Sequence, residues 1–210
     1  MKKIFTLLTI VSAVCFAGWL HAKKKAKTPR YERLRTGDIV FQHTGGEQGV
    51  AVEAATNSPY THVGVVFEKE GELYVLEAVQ PVQVIRLKDF RKRSDIFHAR
   101  RLIDETPLDM DAVAKAIEWG QKQIGKDYDS LFQWSDDTLY CSELVWKVYH
   151  EGAGLDLCET KNFSAYFIEK PEVRAIIKKR YGNALLPAKE PVVAPSDLAE
   201  SPLLKEVPHL

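Results

Sequence analysis

The hydrophobic rhythm of the chain changes about halfway along. Between residues 37 and 102 the apolar positions fall in short runs: GDIVFQ (37–42), THVGVVF (61–67), ELYVLEAV (72–79), VQVIRL (82–87) and DIFHARRL (95–102). Runs of this length, rich in Val, Ile, Phe and Tyr and bounded by turn residues, predict strands. EKEG (68–71) predicts a hairpin between the second and third runs. A turn symmetric about Lys69 and Glu70 pairs Phe67 with Glu72 and sets His62 opposite Glu77, whereas a register shifted by two residues sets Val79 opposite His62 instead. A short helix is predicted around 50–57, and a basic turn or short helix between the fourth and fifth strands. Beyond residue 102 the spacing becomes helical. PLDMDAVAKAIEWGQKQIG (107–125) places Val113, Ile117 and Ile124 on one face, with Asp109 or Asp111 as cap and Gly125 as stop. SELVWKVYHEGAG (142–154) is a second helix ended by its glycines, and a third is predicted over 164–179. Strands followed by helices point to an α+β fold.

The two ends fall outside this pattern. The opening MKKIFTLLTIVSAVCFAGWLHA has two lysines, an apolar run from Ile4 to Leu20 and a small residue at Ala22, the layout of a signal peptide over residues 1–22. An uncleaved membrane anchor is the alternative. Val14 is too bulky before Cys15 for a lipoprotein site. A basic linker (23–33) leads into a single domain (34–186), and five prolines punctuate a tail (187–210) expected to be disordered or draped over the surface. The implied destination is the periplasm or cell envelope, with no stable membrane span after cleavage.

Charge adds one exclusion. Lys+Arg and Asp+Glu stand at 29 each, and losing Lys2 and Lys3 with the leader makes the mature chain slightly acidic, so no nucleic-acid partner is expected. Neither HExxH nor a paired CxxC occurs, and no metal or other cofactor is expected. Only Cys141 and Cys158 survive processing. They are free to pair with each other in an oxidising compartment, which is the structural alternative to any reactive role.

Cys141 stands in LYCSELVWKVY, directly ahead of the helical run Leu144, Val145, Val148, Tyr149. A helix N-terminus stabilises a thiolate through its unpaired N–H groups and its dipole. His62 lies inside a strand, where alternation places it with Gly64 and Val66 on one face. Glu77 is the one acid in LYVLEAV. A carboxylate beside His62 orients the imidazole as the third member of a triad does. A plain cross-strand ion pair remains the other reading. The basic residues Arg86, Lys88, Arg91, Lys92 and Arg93 read as a solvated charged face, with substrate carboxylate binding as the alternative.

The order GDIVFQ, SPYTHVGVV, LYVLEAV, IGKDYD, LYCSELVW resembles the YiiX/YaeF branch of NlpC-type papain-like cysteine hydrolases, from about Leu34 to Gly154. In that branch the fold is circularly permuted, so the histidine strand precedes the nucleophile helix. The resemblance implies an antiparallel sheet packed against helices, with Cys141 as nucleophile at a helix N-terminus, His62 as general base and Glu77 as orienting acid. It makes Tyr140 and Tyr128 candidate substrate-binding residues. YCSELV differs from the NCEHF-type motif of the lecithin retinol acyltransferase group. The implied function is an exported cysteine amidase or peptidase acting on a peptide or other small amide, such as peptidoglycan stem peptides. An acyltransferase or lipid-ester hydrolase on the same scaffold, or a non-catalytic binding domain with a Cys141–Cys158 disulfide, are the alternatives.

Overall fold

The computed structural model describes residues 33–103, 109–184, 186–187 and 189–207, so the leader and nearly all of the basic linker lie outside it. The fold is the expected α+β arrangement. A six-stranded antiparallel sheet runs in the order β4-β3-β2-β1-β5-β6. Its strands are β1 (Ile39–Gln42), β2 (His62–Lys69), β3 (Glu72–Glu77), β4 (Gln83–Arg86), β5 (Phe97–Leu102) and β6 (Leu204–Glu206). The helices are α1 (Gly46–Thr56), α2 (Leu87–Arg91), α3 (Met110–Gln121), α4 (Cys141–Ala153), α5 (Pro171–Tyr181) and α6 (Pro195–Ala199). Among the described residues no helix is long and apolar enough to cross a membrane.

Side-chain alternation splits the core between the sheet's two faces. Ile39, Phe41, Val63, Val65 and Phe67 pack with Val113 and Ile117 of α3 and with Leu144, Val145 and Val148 of α4. Val40, Val66 and Val75 face the other way, onto Leu87 and Phe90 of α2 and Phe97. The GD pair before β1 is structural. Gly37 adopts φ +88, and a Cβ there would fall 2.6 Å from Val113 Cγ1. Asp38, fully buried, accepts from Arg101 Nε at 2.6 Å and Nη2 at 2.7 Å. Such a two-pronged pair satisfies a buried carboxylate that would otherwise be costly.

The β2–β3 register differs from the expected one. Lys69 pairs with Glu72 and Phe67 with Tyr74, two positions away from a Phe67–Glu72 pairing. The turn is Glu70-Gly71, with φ 55 and 77. Two-residue hairpin loops with both residues left-handed match the strand twist, and a glycine at the second position takes that conformation without strain. His62 therefore stands diagonal to Glu77 rather than opposite it.

Other boundaries also move. α1 starts earlier, at Gly46. α3 is capped by Asp109, whose Oδ1 accepts from Ala112 N at 2.8 Å, but it ends at Gln121. Ile124 lies beyond the helix, outside its periodicity, and is 49% exposed. The third predicted helix splits into a 3₁₀ turn (Phe163–Ala165) and α5, which Pro171 opens.

The described part of the tail packs against the domain. Val192, Val193, Leu198, Ala199, Leu204 and Val207 are buried, and β6 adds to β5 through Leu102–Leu204, so strands are not confined to the first half. Pro195 sits where a proline does no harm, at the start of α6. Leu198 is fully buried among core residues. Leu198→Ala should cost about 2–5 kcal/mol of unfolding free energy in urea titration, against near zero for a surface tail.

Candidate active site

α4 is buried along its first nine residues, from Cys141 to Tyr149, so its N-terminus is a fixed point. Glu143, three residues past the N-cap Tyr140, accepts from the Tyr140 backbone N–H through Oε2 at 3.3 Å. This is the returning half of a capping box. Its other oxygen pairs with Lys147 at 3.0 Å, and Lys147 also donates to Ser135 O at 2.6 Å and Asp136 Oδ1 at 2.8 Å. Burial raises the Glu143 pKa to about 7, while the lysine opposes that rise. On the other side of the helix start, Ser142 Oγ donates to Val193 O at 2.8 Å, and Val193 N donates to the Tyr140 hydroxyl at 3.2 Å.

His62 opens β2 and is buried, its ring stacked 5.8 Å from Phe90. Its Nε2 meets Glu77 Oε2 at 2.7 Å, and the Cys141 thiol lies close enough to help raise the imidazole's pKa. With Nε2 taken by Glu77, Nδ1 is the nitrogen left for sulfur. Extending the β2–β3 pairing by one step puts Gly64 across from Glu77. A Cβ at Gly64 would come within 2.5 Å of Val75 Cγ1 and 2.9 Å of Leu76 O. The bare backbone there leaves the space through which Glu77 reaches diagonally to His62.

Glu77 has no exposed surface. Besides His62 it accepts from Gln83 Nε2 at 2.9 Å and from Arg93 Nη1 at 2.7 Å and 3.0 Å. Burial favours the neutral acid, but the bonds and charges of His62, Gln83 and Arg93 win and hold the carboxyl below its ordinary value. Cys141 and Cys158 are both free, so the disulfide alternative does not form. Burial pushes the Cys158 thiol up to about 12.

A cysteine at a helix start, facing a strand histidine that a buried acid orients, is the papain-like arrangement, here with the histidine strand first in the chain. The family model for the permuted papain-like amidase enzymes YaeF/YiiX, C92 family, matches residues 33–208. The chain belongs to this family. It is 35% identical over 175 residues to YiiX of Escherichia coli (strain K12), a match spanning 82% of this chain and 85% of that protein. A crystal structure described as metalloprotein YiiX from Escherichia coli O157:H7 matches with a TM-score of 0.79 at 35% identity, covering 85% of this chain and 98% of that one. Among the described residues here, no group of three or more His, Cys, Asp or Glu is arranged to hold a metal ion. Membership in the C92 family makes the protein a papain-like hydrolase of amides.

The C92 match runs through the tail, and the tail shapes the site. A cavity of about 100 Å³ adjoins Cys141, walled by α1, α5 and Val192–Pro195. Tyr128 and Tyr140, the two expected substrate-binding residues, both line it. Tyr140 is fully buried and packs edge-on to Phe132, 5.0 Å between centroids. The Tyr128 hydroxyl accepts from Gln48 Nε2 at 2.5 Å, and burial and the nearby Cys141 charge raise its pKa well above the ordinary value.

Three participants escaped the sequence reading. Arg93 bonds the buried Glu77 carboxylate rather than standing on a solvated face. Other members of that basic group are engaged elsewhere: Arg86 with Glu72, Lys92 with Asp89, and Arg91 with Ser94 O. Glu143 was signalled by its place at the third helical position. Arg180, on the cavity wall, looked like one more charge in KKR.

Burial opposes charge on His62, but the neighbouring Cys141 and Glu77 overcome this and raise its pKa from 6.5 to about 9. The native state thus holds this proton more tightly than the unfolded chain does. The resulting stabilisation is complete below pH 6.5 and is lost as pH rises through 9. The unfolding free-energy difference between wild type and His62→Gln should shrink across that window in pH-dependent urea titrations.

Proposed function

We propose that the protein is an exported cysteine hydrolase that cleaves amide bonds in small peptide-like substrates of the cell envelope, peptidoglycan stem peptides among them. The observation that carries this reading is the 2.7 Å His62–Glu77 pair held against a thiol at a helix N-terminus. In this mechanism His62 accepts the thiol proton and Cys141 attacks the amide carbonyl. The backbone N–H of Cys141, one of the orphan donors of the first turn, faces the developing oxyanion. The C–N bond breaks as His62 delivers the proton to the departing amine, leaving a thioester. Water, deprotonated by His62, then releases the carboxylic acid and restores the thiol. Glu77, locked by Arg93 and Gln83, keeps the imidazole aimed throughout.

An acyl acceptor other than water would turn the same thioester into a transferase intermediate, and the largely apolar wall beside Cys141 favours that second reading for lipid esters. Export rests on the basic–apolar–small layout ending at Ala22.

Cys141 should alkylate rapidly near neutral pH, and His62→Ala should slow this and lower turnover by about 10²–10⁴-fold. Cys141→Ser should remove turnover while leaving the unfolding transition in place. Glu77→Gln should cost less than either, because an amide oxygen still accepts from the imidazole. Alkylation no faster than that of a free thiol between pH 6 and 9 would sink the proposal. N-terminal sequencing of protein from the envelope fraction should begin near Lys23; an intact Met1 there would contradict export.

A further inference from the structure

Arg180 lies on the wall of the cavity that holds Cys141, and it is the one formally charged lysine, arginine, aspartate or glutamate side chain among the described lining residues. Around it the wall is apolar, with Val52, Ala55, Val173, Ile176 and Ile177 from α1 and α5. The guanidinium is only partly satisfied. Nη2 donates to Gln48 Oε1 at 2.6 Å, and the group sits 5.3 Å above the Phe132 ring. Nη1 is buried and has no hydrogen-bond partner. The nearby acids are committed elsewhere: Glu47 pairs with Lys179, and Asp129 accepts from the backbone N–H groups of Leu131 and Gln133 at 2.8 Å and 2.5 Å. Burial holds the Arg180 pKa below the usual arginine value, as expected for a cation short of anionic partners.

A half-buried guanidinium with one buried N–H group unpaired, and with its neighbouring acids bonded elsewhere, is costly, and a site that keeps one recovers part of that cost when an anion binds. Arginine's planar fork matches a carboxylate with two parallel N–H donors. Gln48 links Arg180 to the Tyr128 hydroxyl, so the same polar chain runs towards the nucleophile. The volume bounds the rest of the ligand. About 100 Å³ is less than the roughly 150 Å³ that accommodates benzene, which suits an amino-acid side chain or a short branched chain.

We propose that Arg180 recognises a carboxylate of the substrate, and that this carboxylate lies beside an apolar group of side-chain size, the chemistry of an N-acyl amino acid or short peptide ending in an apolar residue. The inference rests on Cys141 being the nucleophile, and it narrows the amides the site accepts. Arg180 and Gln48 hold the charged end while α1 and α5 cover the apolar group, which fixes the amide relative to the sulfur.

Ligand-observed NMR titration of the Cys141→Ser protein tests this without turnover. N-acetylleucine should half-saturate at a concentration roughly tenfold or more below that of N-acetylleucinamide, its neutral counterpart. N-acetylglycine, with the same carboxylate and no side chain, should bind more weakly than N-acetylleucine. Arg180→Gln should erase the preference for carboxylate over carboxamide, and Arg180→Lys should keep part of it. Equal binding of the acid and the amide, or no binding of either, would overturn the proposal. The outcome is independent of thiol reactivity: slow alkylation of Cys141 would end the hydrolase reading while leaving a carboxylate preference measurable.

Discussion

A carboxylate with no exposed surface, flanked along its strand by valine, leucine and alanine, is the constraint around which this site is built. Isolated, Glu77 would take up a proton and cease to orient anything. It stays charged because three elements meet on it. β2 brings His62, β4 brings Gln83, and the turn after α2 brings Arg93. Each contact depends on backbone placed elsewhere: the Glu70-Gly71 turn sets the strand register, Gly64 clears the diagonal, and Phe90 packs against the His62 ring. The order of the strands and the fate of α2 are thus tied to one buried charge.

The Cys141 side is built on the opposite principle. There the rigid object is α4, whose apolar length is sunk between sheet and α3, and whose first turn is pinned by Glu143, Ser142 and the Tyr140 hydroxyl. Close crossing with α3 is permitted by Gly152, where a Cβ would fall 2.5 Å from Ala116 Cα. Two separately braced halves meet where the Cys141 thiol faces the His62 imidazole, one braced through the turn that carries Arg93 and the other through Val193.

What could be read from the sequence follows from periodicity. His62 and Glu77 are placed on a common face by a period of two, and a register slip of two residues preserves that face, so the pairing survived an incorrectly placed turn. Cys141 was legible because the apolar run Leu144 to Tyr149 begins just after it and glycines end the helix. Arg93 was not, since a basic residue in a run of basic residues carries no mark of which one turns inward. Arg180 was hidden the same way in KKR. The tail misled by composition: prolines suggest disorder, but Val192, Val193 and Leu198 between them are core residues, and proline is harmless at a helix start.

The tie between α4 and the 192–195 segment has a consequence for timing. Ser142 and the Val193 that receives its hydrogen bond are 51 residues apart, and β6 follows later still. A chain emerging N-terminus first carries histidine, acid and thiol before it carries the wall that encloses them. The cavity wall is therefore completed only by Val192–Pro195, well after the elements that carry His62, Glu77 and Cys141. A nascent or C-terminally nicked molecule holds all three reactive groups and still lacks the enclosure in which a substrate would be gripped.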